Sequence, residues 1–165
     1  MADQFRWDRH YINLALENAK MSKDPATQAG AVIVGPDHEV RSMGYNGLPR
    51  GIADTPERLN NKELKRSLIV HAEMNAILNA ARIGVSTRGC TLYLALTDET
   101  QEVWGGPPCL RCTVEIIQAG ITKIVAKPFK NVESYWTASV EHARELLLEA
   151  KLEYREVLLD TPPQS

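Results

Sequence analysis

Residues 107–126 read PPCLRCTVEIIQAGITKIVA and contain a helix start, a helix end and a strand. One set of side chains follows the i, i+3, i+4, i+7, i+8 spacing of a single helix face: Cys109, Cys112, Thr113, Ile116 and Ile117. This spacing predicts a helix over 109–119, and Gly120 is typical of the position just after a helix. The apolar run that follows predicts a strand over 121–126. Both cysteine sulfurs are therefore expected on the inward face of a helix.

Helix and strand patterns alternate along the rest of the chain. Amphipathic helices are predicted over 8–21, 71–83 and 137–150. Strands are predicted over 29–34, 39–45, 90–96 and 152–158, and loops over 46–61 and 98–106. Alternating helices and strands indicate an α/β layer fold. The last two strands are joined by a helix-length connection, which predicts that they run parallel.

Size and charge limit the function classes. A chain of 165 residues, 44% hydrophobic and 24% charged, is expected to form one globular domain over 1–160 with a short tail over 161–165. The net charge of −2 argues against nucleic acid as a partner. No apolar run approaches the ~18 residues of a membrane span, so no membrane partner is expected. Three cysteines and no secretory signal indicate a reducing, cytoplasmic location.

Two short segments that open predicted helices carry the chemistry, His71-Ala72-Glu73 and Pro107–Cys112. Two thiolates and one imidazole, with a fourth position left open, form the ligand pattern of a catalytic zinc site. Helix N-termini favour thiolates, and zinc lowers the pKa of water. Glu73 leads an apolar helix face, where an unpaired carboxylate is costly. We therefore expect Glu73 to carry protons beside the metal without binding it.

The cysteines also allow two other interpretations. Cys109 and Cys112 have the spacing of a redox pair at a helix start. A purely structural zinc site would need a fourth ligand, for which Cys90 is the remaining thiol. Because Cys90 begins an apolar strand, we expect it to fill the core instead.

The order His-x-Glu, then Pro-Cys-x-x-Cys, is the known signature of zinc-dependent nucleobase deaminases. On this signature the chain resembles the cytidine deaminase superfamily, and most closely its deoxycytidylate (dCMP) deaminase branch. Further matches are SKDP at 22–25, GYNGLP at 44–49, HAEMNAI at 71–77 and IIQAGI at 116–121. The resemblance covers about residues 8–157. It implies a three-layer α/β/α sandwich with a five-stranded mixed sheet, and hydrolysis of dCMP to dUMP and ammonia in pyrimidine nucleotide metabolism, which supplies dTTP.

The resemblance also assigns residues to the site. It implies one Zn²⁺ bound by His71, Cys109 and Cys112, with Glu73 as the proton carrier. It places Asn46 at the sugar and base, and the backbone of Ala72 and Pro108 at the pyrimidine ring and its amino group. For the 5′-phosphate the candidates are Lys23, Arg50 and Lys65. A turn role for Asn46 and a solvated Lys23 are the alternatives.

Regulation and assembly are further expectations from the resemblance. Some family members respond to dCTP and dTTP, and Gly44, Gly47 and Arg82 lie at matching positions, although Arg82 also suits a helix C-terminus. A homo-oligomer (a dimer, tetramer or hexamer) is expected. The segment 98–106 is longer than the usual family connection, and we expect Trp104 to pack over the nucleotide or a neighbouring subunit. Trp136 is either a packing anchor or a pocket wall.

Four rival functions remain open. The same zinc core serves deaminases of 5-substituted dCMP and of cytidine. It also serves tRNA adenosine deaminases, which usually present a basic face. A non-catalytic zinc scaffold that binds a partner is the rival from another class, and it would have no use for the inward carboxylate of Glu73.

Overall fold

The computed structural model describes residues 2–130 and 136–158, which form a central sheet with helices on both faces. The helices are α1 Ala2–Ala19, α2 Pro56–Asn60, α3 Lys62–Leu68, α4 Ala72–Ile83, α5 Leu110–Gln118 and α6 Trp136–Glu149. The strands are β1 Thr27–Val34, β2 Val40–Tyr45, β3 Thr91–Asp98, β4 Val103–Trp104, β5 Lys123–Ala126 and β6 Glu153–Glu156. The predicted tail over 161–165 lies outside the described residues.

The sheet has the order β2-β1-β3-β5-β6, and β4 adds to β3 beyond the end of β5. β1 runs antiparallel to β2 and β3, whereas β3, β5 and β6 are parallel to one another. The predicted mixed sheet and the parallel last pair of strands are therefore confirmed. The short strand β4 brings the number of strands in the described part of the chain to six, one more than expected.

Side chains that alternate along the strands give the sheet two apolar faces. On one face α1 buries Tyr11 and Ile12 against a cluster that includes Val32 and Val125. The other face is covered by α4, α5 and α6, which contribute Ala76, Ile116 and Leu147 to a second, larger cluster. The three-layer α/β/α architecture is thus confirmed. None of the helices in the described ranges is both long and apolar enough to cross a membrane.

The loop predicted over 46–61 is partly wrong, because α2 lies within it. Pro56 stands in the first turn of α2, where proline needs no amide hydrogen. Asn61 then caps α3, since its Oδ1 accepts a hydrogen bond from the Leu64 amide at 3.1 Å. These are local start signals, and they mark two short helices in a segment that carries little apolar periodicity.

The loop predicted over 98–106 contains β4 and forms a hairpin with β3. Leu96 pairs with Trp104, and Thr97 pairs with Val103. Asp98 closes the turn, because its Oδ1 accepts hydrogen bonds from the amides of Thr100 at 2.9 Å and Glu102 at 3.3 Å. The polar composition of this segment therefore builds an ordered turn.

Two glycines allow helices to approach the strands unusually closely. A Cβ atom on Gly30 of β1 would lie 1.9 Å from the carbonyl oxygen of Ala15 in α1. A Cβ atom on Gly44 of β2 would lie 2.3 Å from both the Ala72 oxygen and the Ala76 nitrogen of α4. Any side chain at Gly44 would therefore displace the first turn of α4.

A buried ion pair joins the first helix to the last strand. The two terminal guanidinium nitrogens of Arg155, Nη1 and Nη2, donate to the carboxylate of Asp8 at 2.5 and 2.7 Å. The Asp8 carboxylate also accepts hydrogen bonds from Tyr93 and Gln4, both at 3.0 Å. Because Asp8 is buried and fully hydrogen-bonded, the network fixes α1 against β3 and β6.

We predict that Asp8→Ala lowers the free energy of unfolding by about 3 kcal/mol, because it removes the buried acceptor of Arg155 and Tyr93 and leaves Arg155 with its longer contact to Glu153, at 3.7 Å. The matched substitution Asp3→Ala, on the exposed first turn of α1, should change it by no more than about 0.5 kcal/mol. Denaturant unfolding of both variants measures the difference. Equal losses in the two variants would contradict a structural role for this ion pair.

Candidate metal centre and substrate site

The N-termini of α4 and α5 meet on the face of the sheet that carries the larger apolar cluster. His71 is the N-cap residue of α4 and Cys109 that of α5, and both have extended backbone. Neither side chain caps its own helix. Instead, Nδ1 of His71 lies 3.4 Å from the Sγ atoms of both Cys109 and Cys112. The structure thus brings together three residues from two separate sequence motifs.

The three ligand atoms fit a single zinc ion. All of them lie within 4.8 Å of one another. With zinc–sulfur and zinc–nitrogen bonds of about 2.3 and 2.0 Å, tetrahedral ligands should be roughly 3.5 Å apart, close to the observed distances. Within the part of the chain that the structure describes, no other group of His, Cys, Asp and Glu residues has this arrangement. Cys90 is fully buried in the core and lies outside the group, as expected.

Hydrogen bonds within the cluster shift the pKa values of its members. The hydrogen bond from Cys112, and a further one from His71, lower the pKa of Cys109 to about 4. The contact with Cys109 raises the pKa of His71 to about 9, against the effect of burial. The hydrogen bond to Cys109 and burial raise the pKa of Cys112. A cation bound by the two thiolates and the neutral imidazole would displace these shared protons.

Glu73 lies beside the cluster but does not belong to the group of potential ligands. It is in the first turn of α4, and only 6% of its surface is exposed. Burial raises its pKa, although the nearby His71 opposes this shift. A carboxyl group with a raised pKa is suited to holding and releasing a proton. Its catalytic role stays a prediction.

Of the three residues predicted to contact sugar and base, Ala72 and Pro108 adjoin the ligands His71 and Cys109 in the chain. Asn46 is buried, and its amide group bonds the start of β1 by accepting from Ala29 at 2.7 Å and donating to Thr27 at 2.8 Å. Ala72 is the first residue of α4, so its amide has no partner within the helix. The Pro108 carbonyl accepts one bond, from Thr113 Oγ1 at 3.3 Å. Asn46 therefore has a structural role in β1, whatever its role toward substrate.

The structure pairs each of the predicted phosphate-binding cations with another side chain. Lys23 Nζ lies 2.8 Å from Asp54, with 70% of its side chain exposed. Lys65 Nζ lies 2.8 Å from the buried Asp24, with 14% exposed. Arg50 donates to Asn79 at 2.5 Å. Lys65 thus joins α3 to the segment before β1, whereas Lys23 keeps an accessible ammonium group.

The three predicted effector residues have different structural surroundings. Gly44 serves the close contact between β2 and α4, and Gly47 pairs with Val70 through two backbone hydrogen bonds of 3.1 and 2.8 Å. Arg82 is exposed near the end of α4. Together with Arg50 it lines a shallow cavity of about 380 Å³ beside β2.

The hairpin residue Trp104 lies opposite Leu96, a residue that packs against the same cluster as Cys109. Residues directly opposite in an antiparallel pair point to the same face, so Trp104 is on the face of the metal centre. Its indole Nε1 is buried and has no hydrogen-bond partner among the described residues. Packing of Trp104 over a nucleotide or a second subunit stays a prediction.

Two side chains of α6 also reach the centre: Ser139, which the sequence patterns did not single out, and Trp136, for which they left two roles open. The Ser139 hydroxyl accepts a hydrogen bond from the Leu110 amide at 2.9 Å. The Trp136 ring lies 5.9 Å from the His71 ring in an edge-to-face arrangement. A serine in the first turn of a helix looks like an ordinary surface residue, so the sequence offers no signal for this contact.

A family model and the relatives found by sequence similarity all describe deaminases. The family model for the cytidine and deoxycytidylate deaminase zinc-binding region matches residues 5–127. Mouse deoxycytidylate deaminase is 35% identical over 128 residues, which cover 74% of this chain but only 65% of the mouse protein. An uncharacterized deaminase in the luxG 3′ region of Aliivibrio fischeri is 30% identical over 156 residues, which cover 94% of this chain and 96% of that protein.

Among solved structures, the dCMP deaminase of cyanophage S-TIM5 in complex with dCMP and dUMP superposes with a TM-score of 0.65 at 20% identity. This alignment covers 90% of this chain and 94% of the phage protein, and it supports the fold. The family model spans the segment that contains His71, Glu73, Cys109 and Cys112. The chain therefore belongs to the cytidine and deoxycytidylate deaminase family and carries its zinc-binding region.

Proposed function

We propose that this protein hydrolyses dCMP to dUMP and releases ammonia. The observation that carries the proposal is the buried carboxyl group of Glu73 beside, but not within, the cluster of His71, Cys109 and Cys112. A site with only a structural metal has no need for such a carboxyl group, because burying it is costly. The similarity to mouse deoxycytidylate deaminase supports dCMP as the substrate.

In this proposal Glu73 moves the protons of the reaction. When zinc is bound at His71, Cys109 and Cys112, it supplies a Lewis acid that lowers the pKa of water. Glu73 accepts one proton as the water oxygen adds to C4 of the pyrimidine, and delivers that proton to N3. It then carries the second proton of the same water to the 4-amino group, which leaves as ammonia. The product keeps the oxygen at C4 and the hydrogen at N3.

Backbone groups at the two helix starts hold the base in the proposed complex. The amide of Ala72, which has no partner within α4, offers a donor to a carbonyl oxygen of the pyrimidine. The Pro108 carbonyl has a second lone pair available for the amino group. Because both residues are buried and the contacts come from backbone groups at or just before a helix start, the ring is oriented without loss of side-chain freedom.

Assembly, regulation and location complete the proposal. We infer a homo-oligomer, by analogy with the family. We also infer dCTP or dTTP binding near Arg82, where Arg50 provides a second positive group in one cavity. A cytoplasmic location agrees with three free cysteines, which persist in reducing compartments.

An ammonia-release assay on the zinc-loaded protein tests the proposed substrate. We expect activity on dCMP, and none on an adenosine-bearing RNA or on single-stranded DNA, because the net charge of −2 disfavours a phosphate backbone. Cytidine, deoxycytidine and 5-methyl-dCMP complete the panel. A higher kcat/KM for cytidine than for dCMP would identify cytidine as the substrate in place of dCMP. If no compound released ammonia, the result would favour the non-catalytic zinc scaffold.

We predict that Glu73→Gln keeps zinc but loses at least ~10²-fold in kcat, the low end for removal of a general acid and base. Zinc content is measured by elemental analysis and kcat by ammonia release from dCMP. Glu63→Gln, on the exposed first turn of α3, is the matched control and should retain full activity. A zinc-loaded Glu73→Gln variant with the wild-type rate would refute the assignment.

We predict that Lys23→Gln lowers kcat/KM for dCMP roughly tenfold, the effect of one charge-assisted hydrogen bond, while kcat/KM for deoxycytidine stays unchanged. Lys20→Gln is the matched control, since Lys20 is equally exposed and also paired, with Glu17. The comparison of nucleotide with nucleoside isolates phosphate recognition. Equal changes in kcat/KM for dCMP and deoxycytidine would show that Lys23 does not bind the phosphate.

A further inference from the structure

The first turn of α6 contacts both helix termini that carry the metal-ligating side chains. Ser139 accepts a hydrogen bond from Leu110, the residue that follows Cys109. Trp136 packs edge-to-face against the ring of His71. The spacing of Trp136 and Ser139 is i, i+3, so both lie on one face of α6. That face is therefore the side of α6 turned toward the cluster.

The contact with Ser139 acts on the backbone of Cys109. The first amides of a helix lack partners within it, and Cys109 provides no side-chain cap for α5. Ser139 supplies the missing acceptor from another helix. The Leu110 nitrogen belongs to the planar peptide group that includes the Cys109 carbonyl. The hydrogen bond therefore fixes the peptide plane from which the Cys109 side chain extends.

The contact with Trp136 acts on the imidazole ring of His71. The ring must hold one orientation for Nδ1 to face both sulfurs at 3.4 Å. The Trp136 ring lies 5.9 Å away with its plane at 63° to the imidazole, a favourable aromatic geometry. Trp136 is 38% exposed, so the indole covers the imidazole on one side and meets solvent on the other. Rotation of the imidazole would disrupt this packing.

We propose that α6 clamps the metal centre from outside, with Ser139 and Trp136 as positioning residues for Cys109 and His71. The proposal goes beyond the proposed function and depends only on the zinc-binding region, not on the substrate. Groups that orient metal ligands from outside typically change metal affinity by about 10- to 100-fold. The helix α6 thus determines how firmly zinc is held.

The test measures zinc release from the full-length, zinc-loaded protein into a colorimetric chelator. We expect Ser139→Ala to release zinc about tenfold faster than the wild type. Ser139→Thr keeps the hydroxyl group and should restore slow release. The matched control is Ser67→Ala, which removes a hydroxyl group that bonds the Glu63 carbonyl on exposed α3. Trp136→Leu should also speed release, whereas Trp7→Leu, which removes a ring stacked on His38, should not.

Cobalt substitution provides a readout that general destabilisation does not mimic. In the cobalt-loaded Ser139→Ala and Trp136→Leu variants we expect shifted thiolate-to-cobalt charge-transfer and ligand-field bands. After treatment with chelator, both variants should unfold at the same thermal midpoint as the wild type. Release rates and cobalt spectra like those of the wild type in both variants would overturn the proposal, as would failure of Ser139→Thr to restore slow release. Absence of dCMP deamination by the wild type would refute only the proposed function, since metal retention is measured separately.

Discussion

The sulfurs of Cys109 and Cys112 lie against the same imidazole nitrogen of His71, and this contact constrains most of the surrounding structure. Buried thiolates are costly unless positive groups or a cation face them. Here each motif begins a helix, so two positive helix termini converge on the cluster. α4 and α5 must therefore start at one point although 37 residues separate His71 from Cys109 in the chain. The sheet is what brings the two starting points together.

The start of each helix is positioned by a different part of the sheet. α5 follows the β3–β4 hairpin in the chain, so it begins near the carboxyl end of β3. Ligand sites in α/β folds commonly lie at the carboxyl ends of the strands. α4 is located through Gly44, whose missing side chain lets the first turn of the helix lie on β2. The Asp8–Arg155 pair holds α1 on the opposite face. The metal centre thus depends on close packing several residues away from its ligands.

Local patterns predicted much of this arrangement, and the remainder depends on contacts between distant residues. Helical spacing placed Cys109 and Cys112 on an inward face, and the motifs at two helix starts predicted that His71 would join them. Nothing local indicates that Lys65 pairs with Asp24, 41 residues away, or that Ser139 receives the Leu110 amide. Such pairs follow from the final packing of α3 and α6. The strand β4 likewise forms by pairing with β3, so the polar composition of 98–106 predicted a loop there.

The hairpin gives the connection between β3 and the metal ligand Cys109 a defined backbone path. A longer loop raises the entropy cost of fixing its ends, which alone would leave Cys109 less well positioned. Lys130 offsets this cost by bonding both Asp98 and Glu102. The amides of Gly105 and Gly106 bond the carbonyls of Pro128 and Lys127, at 3.0 and 2.9 Å, just before the cysteine motif. The approach to Cys109 is therefore anchored to the segment after β5, and the Leu110 amide that follows Cys109 is bonded to Ser139 of α6.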